Sequence, residues 1–305
     1  MPDGPSVLTI GESLIELRER ADGGLDWTFA GDALNCAAAI AAANPEAVVQ
    51  HLTGLGDDDR SRDFLRFCES IDVDTRRSPV VPGSHLGLYW ITTVDGDRQF
   101  QYWRSNSAAR LLLSSGTSVV PASPPELIVI TGVTLAVSGA AARQLVDDLE
   151  TATSAGATVA FDTNHRPALW PSIEAARAAM EGAMSTSQIV HASADDIAEL
   201  WNEDISTFGS RLAAHGVREA VITDGSREVV AFVEGTRYRA EPVAARAVDT
   251  SGAGDAFFGT YLGHRLHGNS VESSLNAAVE VCGHVVQTPG ALGYLSASPP
   301  RPWLR

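Results

Sequence analysis

The run Asp249-Thr250-Ser251-Gly252-Ala253-Gly254-Asp255, followed at once by the apolar stretch from Ala256 to Leu266, brings together three chemical parts. Glycines at 252 and 254 allow a tight turn and let bare N–H groups approach an anion. The helix predicted by the apolar stretch leaves its first N–H groups without internal partners, at the positive end of its dipole. The carboxylate of Asp255 stands where it could take a proton from a hydroxyl while a phosphate oxygen is held next door. Positioning, charge stabilisation and a base are what phosphoryl transfer needs. Taken alone, the run fits at least as well a plain tight turn in which Asp255 complements the dipole.

Other residues narrow the chemistry. The chain has no lysine, so all 22 basic residues are arginine, which excludes both the Walker lysine and the strand lysine of protein kinases. No G-x-G-x-x-G follows the first strand-like run, Val7 to Ile10, which leads instead into Gly11-Glu12. Any phosphate is then handled by backbone and arginine. Asp32 and Asn35, beside Gly31 at a helix start, suit the several hydrogen bonds of a polyhydroxylated ligand, although Asp32 would serve equally as a helix cap. Phe161-Asp162-Thr163-Asn164-His165-Arg166 follows another strand-like run, and Arg166 could grip a carboxylate or phosphate through two parallel N–H bonds. His51, His165, His191 and His284 show no metal-ligand spacing and read as satisfied or exposed histidines.

These residues need a frame, and the hydrophobic pattern predicts one. Strand-like runs at Val7–Ile10, Val48–Thr53, Leu127–Thr131, Thr158–Phe161, Ile189–His191 and Ala220–Thr223 alternate with helical stretches. The latter are Ala33–Ala43, Phe64–Ile71, Ala140–Ala152, Ile173–Met184, Ala194–Trp201 and Phe208–His215. That alternation predicts an α/β fold on a mostly parallel sheet, with ligands beyond the carboxyl ends of the strands. Leu14–Arg18, Gly87–Val94 and Arg98–Arg104 break the rhythm, and Asp95-Gly96 is a hairpin turn signal. Strands set off from the main sheet would form a lid, with Phe100, Tyr102 and Arg104 on one face and Gln101 and Trp103 on the other.

Together, Gly252-Ala253-Gly254-Asp255 after Asp249-Thr250 and Gly31-Asp32-Ala33-Leu34-Asn35 near the start resemble the ribokinase-type (PfkB) carbohydrate kinases, in the expected order over nearly the whole chain. Within that family, Phe161–Trp170 resembles the F-D-x-N-x-R-P-x-L-W segment of the 2-keto-3-deoxygluconate kinases, and Tyr102-Trp103-Arg104 their Y-W-R stretch. The resemblance implies one ribokinase-like three-layer α/β/α unit over residues 1–305, with a β-stranded lid from segments 12–30 and 84–105. It further implies transfer of a phosphoryl group from ATP, with Mg²⁺ and K⁺ as ions, to the O6 hydroxyl of the sugar acid. Asp255 would be the base, and the amides of Gly252, Ala253 and Gly254 the anion site. Gly31, Asp32, Asn35, Tyr89, Tyr102, Arg104 and Arg166 would meet the sugar. Asn164, Ser193, Thr223, Gly225, Ser226 and Asn276 would meet the nucleotide, although Glu228 stands where the final glycine of a T-x-G-x-x-G segment is expected. Asp196 would contact Mg²⁺ through water, and Asp249 would orient the turn or border a monovalent cation. Fructokinases share the Arg166 segment, and a nucleoside kinase or a silent sugar sensor would keep the same scaffold.

Composition sets outer bounds. A length of 305 residues suits one large α/β unit, and a net charge of −16 argues against nucleic acid or an anionic membrane as partner. Cys36, Cys68 and Cys282 lack C-x-x-C spacing and are read as packing residues, not as a disulfide or zinc set. No run reaches a membrane span, and no basic segment precedes a long apolar one near Met1, so the expected place is the cytoplasm. The family resemblance implies a homodimer or higher homo-oligomer through the lid.

Overall fold

The computed structural model describes residues 4–20, 22–94 and 97–296. Its first half runs β1 (Ser6–Ile10), β2 (Leu14–Glu19), β3 (Leu25–Ala30), α1 (Asp32–Ala43), β4 (Val48–Leu52), α2 (Asp59–Ser70), β5 (Gly87–Val94), β6 (Asp97–Trp103), α3 (Ala108–Leu113) and β7 (Leu127–Thr131). After it come α4 (Gly132–Ser138), α5 (Ala142–Ser154), β8 (Thr158–Asp162), α6 (Ile173–Thr186), β9 (Ile189–Ser193), α7 (Ala194–Trp201) and α8 (Ile205–Ala214). The chain closes with β10 (Glu219–Asp224), β11 (Glu228–Val233), β12 (Thr236–Ala240), α9 (Ala253–Leu266) and α10 (Val271–Val285).

Strands β4, β1, β7, β8, β9 and β10 lie side by side and parallel, and the antiparallel pair β11 and β12 extends the sheet beyond β10. All five residues of β7, Leu-Ile-Val-Ile-Thr, are buried, because a parallel sheet is covered on both faces. Period-2 alternation sends Leu8, Ile128, Ile130 and Phe161 to one core with α4 to α8. Val7, Leu127, Val129 and Ala160 turn to the opposite core, shared with α1, α2 and α9. Full burial of each of the Leu, Ile, Val and Phe side chains contributes about 1.5–3 kcal/mol. The result is the mostly parallel sheet expected from the alternation, within the three-layer α/β/α sandwich that the resemblance implies.

Two expectations move in detail. Helix α2 starts well before Phe64, because Asp58 caps it by accepting the Ser61 N–H and its first turn is polar. The hairpin of β11 and β12 has no counterpart among the predicted elements.

Strands β3, β2, β5 and β6 form a separate four-stranded sheet in that order. The Asp95-Gly96 turn lies outside the described residues. Leu14, Tyr89, Phe100, Tyr102 and Arg104 face the cavity under this sheet, and Ile15, Leu17, Leu88, Trp90 and Trp103 line its outer face.

Candidate active site

The carboxyl ends of β1, β7, β8, β9 and β10 open under the small sheet into a cavity of about 840 Å³. One wall is the turn Thr250–Asp255 that starts α9. Gly252 holds φ +72° as its N-cap, and a Cβ there would come within 2.7 Å of the Ala291 methyl. Among the described residues no side chain caps α9, so none claims its first-turn amides. Ala253 N–H closes the turn on the Thr250 carbonyl at 3.3 Å. Asp249 is buried, and its two oxygens accept Ser251 N–H and Gly290 N–H, each at 2.8 Å. It therefore orients the turn.

Asp255 sits beside that turn, with Oδ2 accepting a 2.8 Å bond from Asn35 Nδ2 on α1. The contact exists because α1 and α9 pack closely through small residues: a Cβ on Gly259 would lie 2.5 Å from the Cys36 carbonyl oxygen. Burial, then the charge of Asp32, push the Asp255 carboxyl up to about 7, against the hydrogen bond from Asn35 and the charge of Arg166. Such a carboxyl is poised for proton transfer near neutrality.

Asp32 does not cap α1. Gly31 is the N-cap, at φ +147°, with no side-chain cap bond, and Asp32 Oδ2 accepts Thr131 Oγ1 at 2.5 Å and Asn164 Nδ2 at 2.9 Å. Asn164, expected against the nucleotide, is thus tied to Asp32. Asp196 lines the cavity, its Oδ2 accepting Thr163 Oγ1 at 2.7 Å and His165 N–H at 3.1 Å. Ser193 caps α7 by accepting the Asp196 N–H, and Thr223 also lines the cavity. Gly225 and Ser226 sit on the exposed turn beyond β10, and Asn276 is on the exposed side of α10. None of these three lines the cavity.

The lid arginine, expected to meet the sugar, is paired within the protein. Arg104 Nη2 pairs with Glu12 Oε2, and Ser107 Oγ donates to Glu12 Oε1. Glu12 is buried, and burial raises its pKa despite the Arg104 charge. Arg104 Nε is buried with no acceptor among the described residues. Tyr89 lines the cavity with its ring, since its hydroxyl donates to Glu16. Arg166 also lines the cavity, with Nη1 donating to the His165 carbonyl at 2.8 Å.

Sequence reasoning missed Glu12 and the pair of His191 with Asp162, both of which border the cavity. Gly11-Glu12 was legible only as a break from the dinucleotide pattern, and nothing in the local sequence marks His191. The three cysteines are unpaired, as expected, and burial raises each thiol.

Residues 5–297 match the model of the pfkB family carbohydrate kinases. The chain belongs to this family. The carbohydrate kinase is 32% identical over 307 residues to 2-dehydro-3-deoxygluconokinase of Dickeya dadantii (strain 3937), covering 96% of this chain and 98% of that one. Its fold matches a fructokinase with bound ATP from Xylella fastidiosa at TM-score 0.83 and 22% identity, over 95% of this chain and 94% of that one. A putative ribokinase II from E. coli, in complex with ATP and Mg²⁺, superposes at TM-score 0.83 with 20% identity, over 95% and 96% of the two chains. At these identities the two structures speak for the shared fold alone.

Proposed function

We propose that this kinase transfers the γ-phosphoryl group of ATP to the terminal O6 hydroxyl of 2-keto-3-deoxygluconate, giving 2-keto-3-deoxy-6-phosphogluconate. The observation that carries the choice of an acid sugar is Arg104. Its buried Nε has no acceptor among the described residues, and a sugar carboxylate in the cavity would supply one through a charge-assisted bond. Arg166 is the second cation for that group. The relative from Dickeya dadantii, which bears the name of this activity, supports the reading.

The residues divide the work by position. Asp32 and Asn35 hold sugar hydroxyls, and Asp255 takes the proton of the attacking one. Gly252, Ala253 and Gly254 present backbone at the α9 terminus to the group in transfer. Tyr102 and Phe100 close over the sugar and exclude water, which would otherwise drain ATP by hydrolysis.

No group of three or more acidic, histidine or cysteine side chains able to hold a metal ion occurs among the described residues. Asp196, which lines the cavity, would hold through water a Mg²⁺ bound with the triphosphate, and that ion would supply charge neutralisation there. Asp249 fits a cation less well, since both its oxygens already accept main-chain N–H groups. A cytoplasmic setting follows from the need for ATP and agrees with three unpaired cysteines. Among the described residues no helix is long and apolar enough to cross a membrane.

The pairing of Arg104 with Glu12 favours one rival, a neutral-sugar kinase such as a fructokinase, because it leaves the lid arginine without net charge. A panel of ketodeoxygluconate, fructose, ribose and adenosine with ATP, followed by ADP release, separates the two. Ketodeoxygluconate should give the highest kcat/KM; preference for fructose would overturn the acid-sugar assignment.

A further inference from the structure

The cavity floor holds a buried pair that the scheme above leaves unused. His191 on β9 and Asp162 on β8 are neighbours in the sheet register. The imidazole Nδ1 lies 2.9 Å from Asp162 Oδ1, and the two side chains are only 4% and 7% exposed. Nε2 lies 3.4 Å from the Thr223 hydroxyl at the end of β10. The ring stacks on Phe258 with centroids 5.1 Å apart and leans on Phe257 at 5.7 Å, both just past Asp255 in α9. A Cβ on Gly254 would lie 3.9 Å from its Cε1. The imidazole is therefore wedged beneath the turn that starts α9, between a carboxylate and a hydroxyl.

This geometry makes Nε2 report the charge of the ring. A nitrogen facing a carboxylate is a donor in both protonation states, so the change occurs at Nε2 alone. With a neutral ring, Nε2 accepts, and Thr223 spends its single hydroxyl proton inward. With a charged ring, Nε2 donates to Thr223 Oγ1, and that proton is free to point into the cavity. Only the second arrangement matches a phosphate oxygen, which needs a donor. The chain has no lysine to place there instead.

We propose that His191 is a positioning residue for the nucleotide: it takes up a proton from solvent as the phosphates bind, which turns the Thr223 hydroxyl toward them. The inference rests on the reading that Thr223 meets the ATP phosphates. The charged groups facing the ring are Asp162 from β8, Asp196 from α7 and Asp255 from α9. Burial works against the charged ring, but the three carboxylates outweigh it and raise its pKa. Nucleotide affinity should therefore fall as pH rises through the pKa of the ring.

The test is calorimetric titration of the full-length wild type and of His191→Gln with Mg·ADP, between pH 6.5 and 9, in buffers of different ionisation enthalpy. Wild type should take up more proton per nucleotide bound than the variant, a difference in which the ionisation of ADP itself cancels. The variant should bind roughly tenfold more weakly at pH 7, the scale of a lost bond to a charged group, and the KM for ATP should rise more than kcat falls. Equal proton uptake by both proteins overturns the proposal. Failure of wild type to bind Mg·ADP at all overturns the reading of Thr223 beneath it. Should the variant not fold, the ring ¹⁵N shifts of His191 in wild type decide: a move to the imidazolium pattern on adding Mg·ADP supports the proposal, and unchanged shifts refute it.

Discussion

Asp255 combines a catalytic demand with a folding cost, and the two can be measured separately. Replacing it with asparagine should lower kcat by roughly 10² or more, the scale of a lost general base, with sugar and nucleotide binding retained. In wild type, kcat/KM should rise with pH through about 7, where this carboxyl ionises. Because folding raises this pKa from 3.8, the ionised form is disfavoured in the native state. The penalty is absent below the unfolded value and complete above about 7. Asp255→Asn should therefore melt at the same temperature as wild type near pH 4 but at least about 2 °C higher at pH 8. A variant that melts lower at pH 8 would show that the charge is compensated. Arg104 offers a second dissection. Arg104→Gln should lose acid-sugar turnover and also about 3–5 kcal/mol of stability, because Glu12 is left buried without its counter-charge. Adding Glu12→Gln should restore most of the stability and none of the turnover. Joint recovery of both would show that Arg104 acts only as the partner of Glu12.

At the scale of elements, what was legible in the sequence was what the chain encodes locally. Continuous apolar runs such as Leu127–Thr131 marked the buried parallel strands, and the glycine turn before Ala256 marked the start of α9. Helix α4 escaped because it is only seven residues long and begins at Gly132 directly after β7, its start set by the Thr131 side chain accepting Thr134 N–H. The partners of Asp32 and Arg104 escaped because they come from distant segments: Thr131 and Asn164 for the first, Glu12 for the second. Only packing brings them together. One packing contact is directly testable. A methyl group on Gly259 would meet the Cys36 carbonyl at 2.5 Å and push α1 from α9, stretching the bond between Asn35 and Asp255. Gly259→Ala should lose about 1–3 kcal/mol to overpacking and shift the pH at which kcat/KM is half-maximal upward, since the Asn35 bond favours the ionised base. An unchanged pH profile in a destabilised variant would separate the helix contact from the chemistry.

Across the whole molecule, charge and apolar surface are distributed in a way that bears on assembly. A net charge of −16 makes copies of the chain repel one another over most of their surface. The outer face of the small sheet is the exception: Leu25, Trp27 and Trp103 are each about half exposed (49%, 48% and 51%). Trp103 borders a groove of about 700 Å³ together with Ile15, Leu17, Leu88 and Trp90. Strands β3 and β6 are the free edges of that sheet, where unpaired backbone groups invite another strand. Apolar patches rimmed by polar residues mark interaction surfaces, and a second lid would bury both patches at once. We propose that the kinase self-associates through this face. Light scattering on the eluting protein should then give a multiple of 32.2 kDa. Added salt should strengthen the association, because it screens the acidic repulsion and leaves apolar burial intact. Trp27→Glu combined with Trp103→Glu places charge on the patch without touching a cavity residue, and should return the protein to a single chain. Wild type that elutes at 32.2 kDa at tens of micromolar, in low and high salt alike, would rule this interface out.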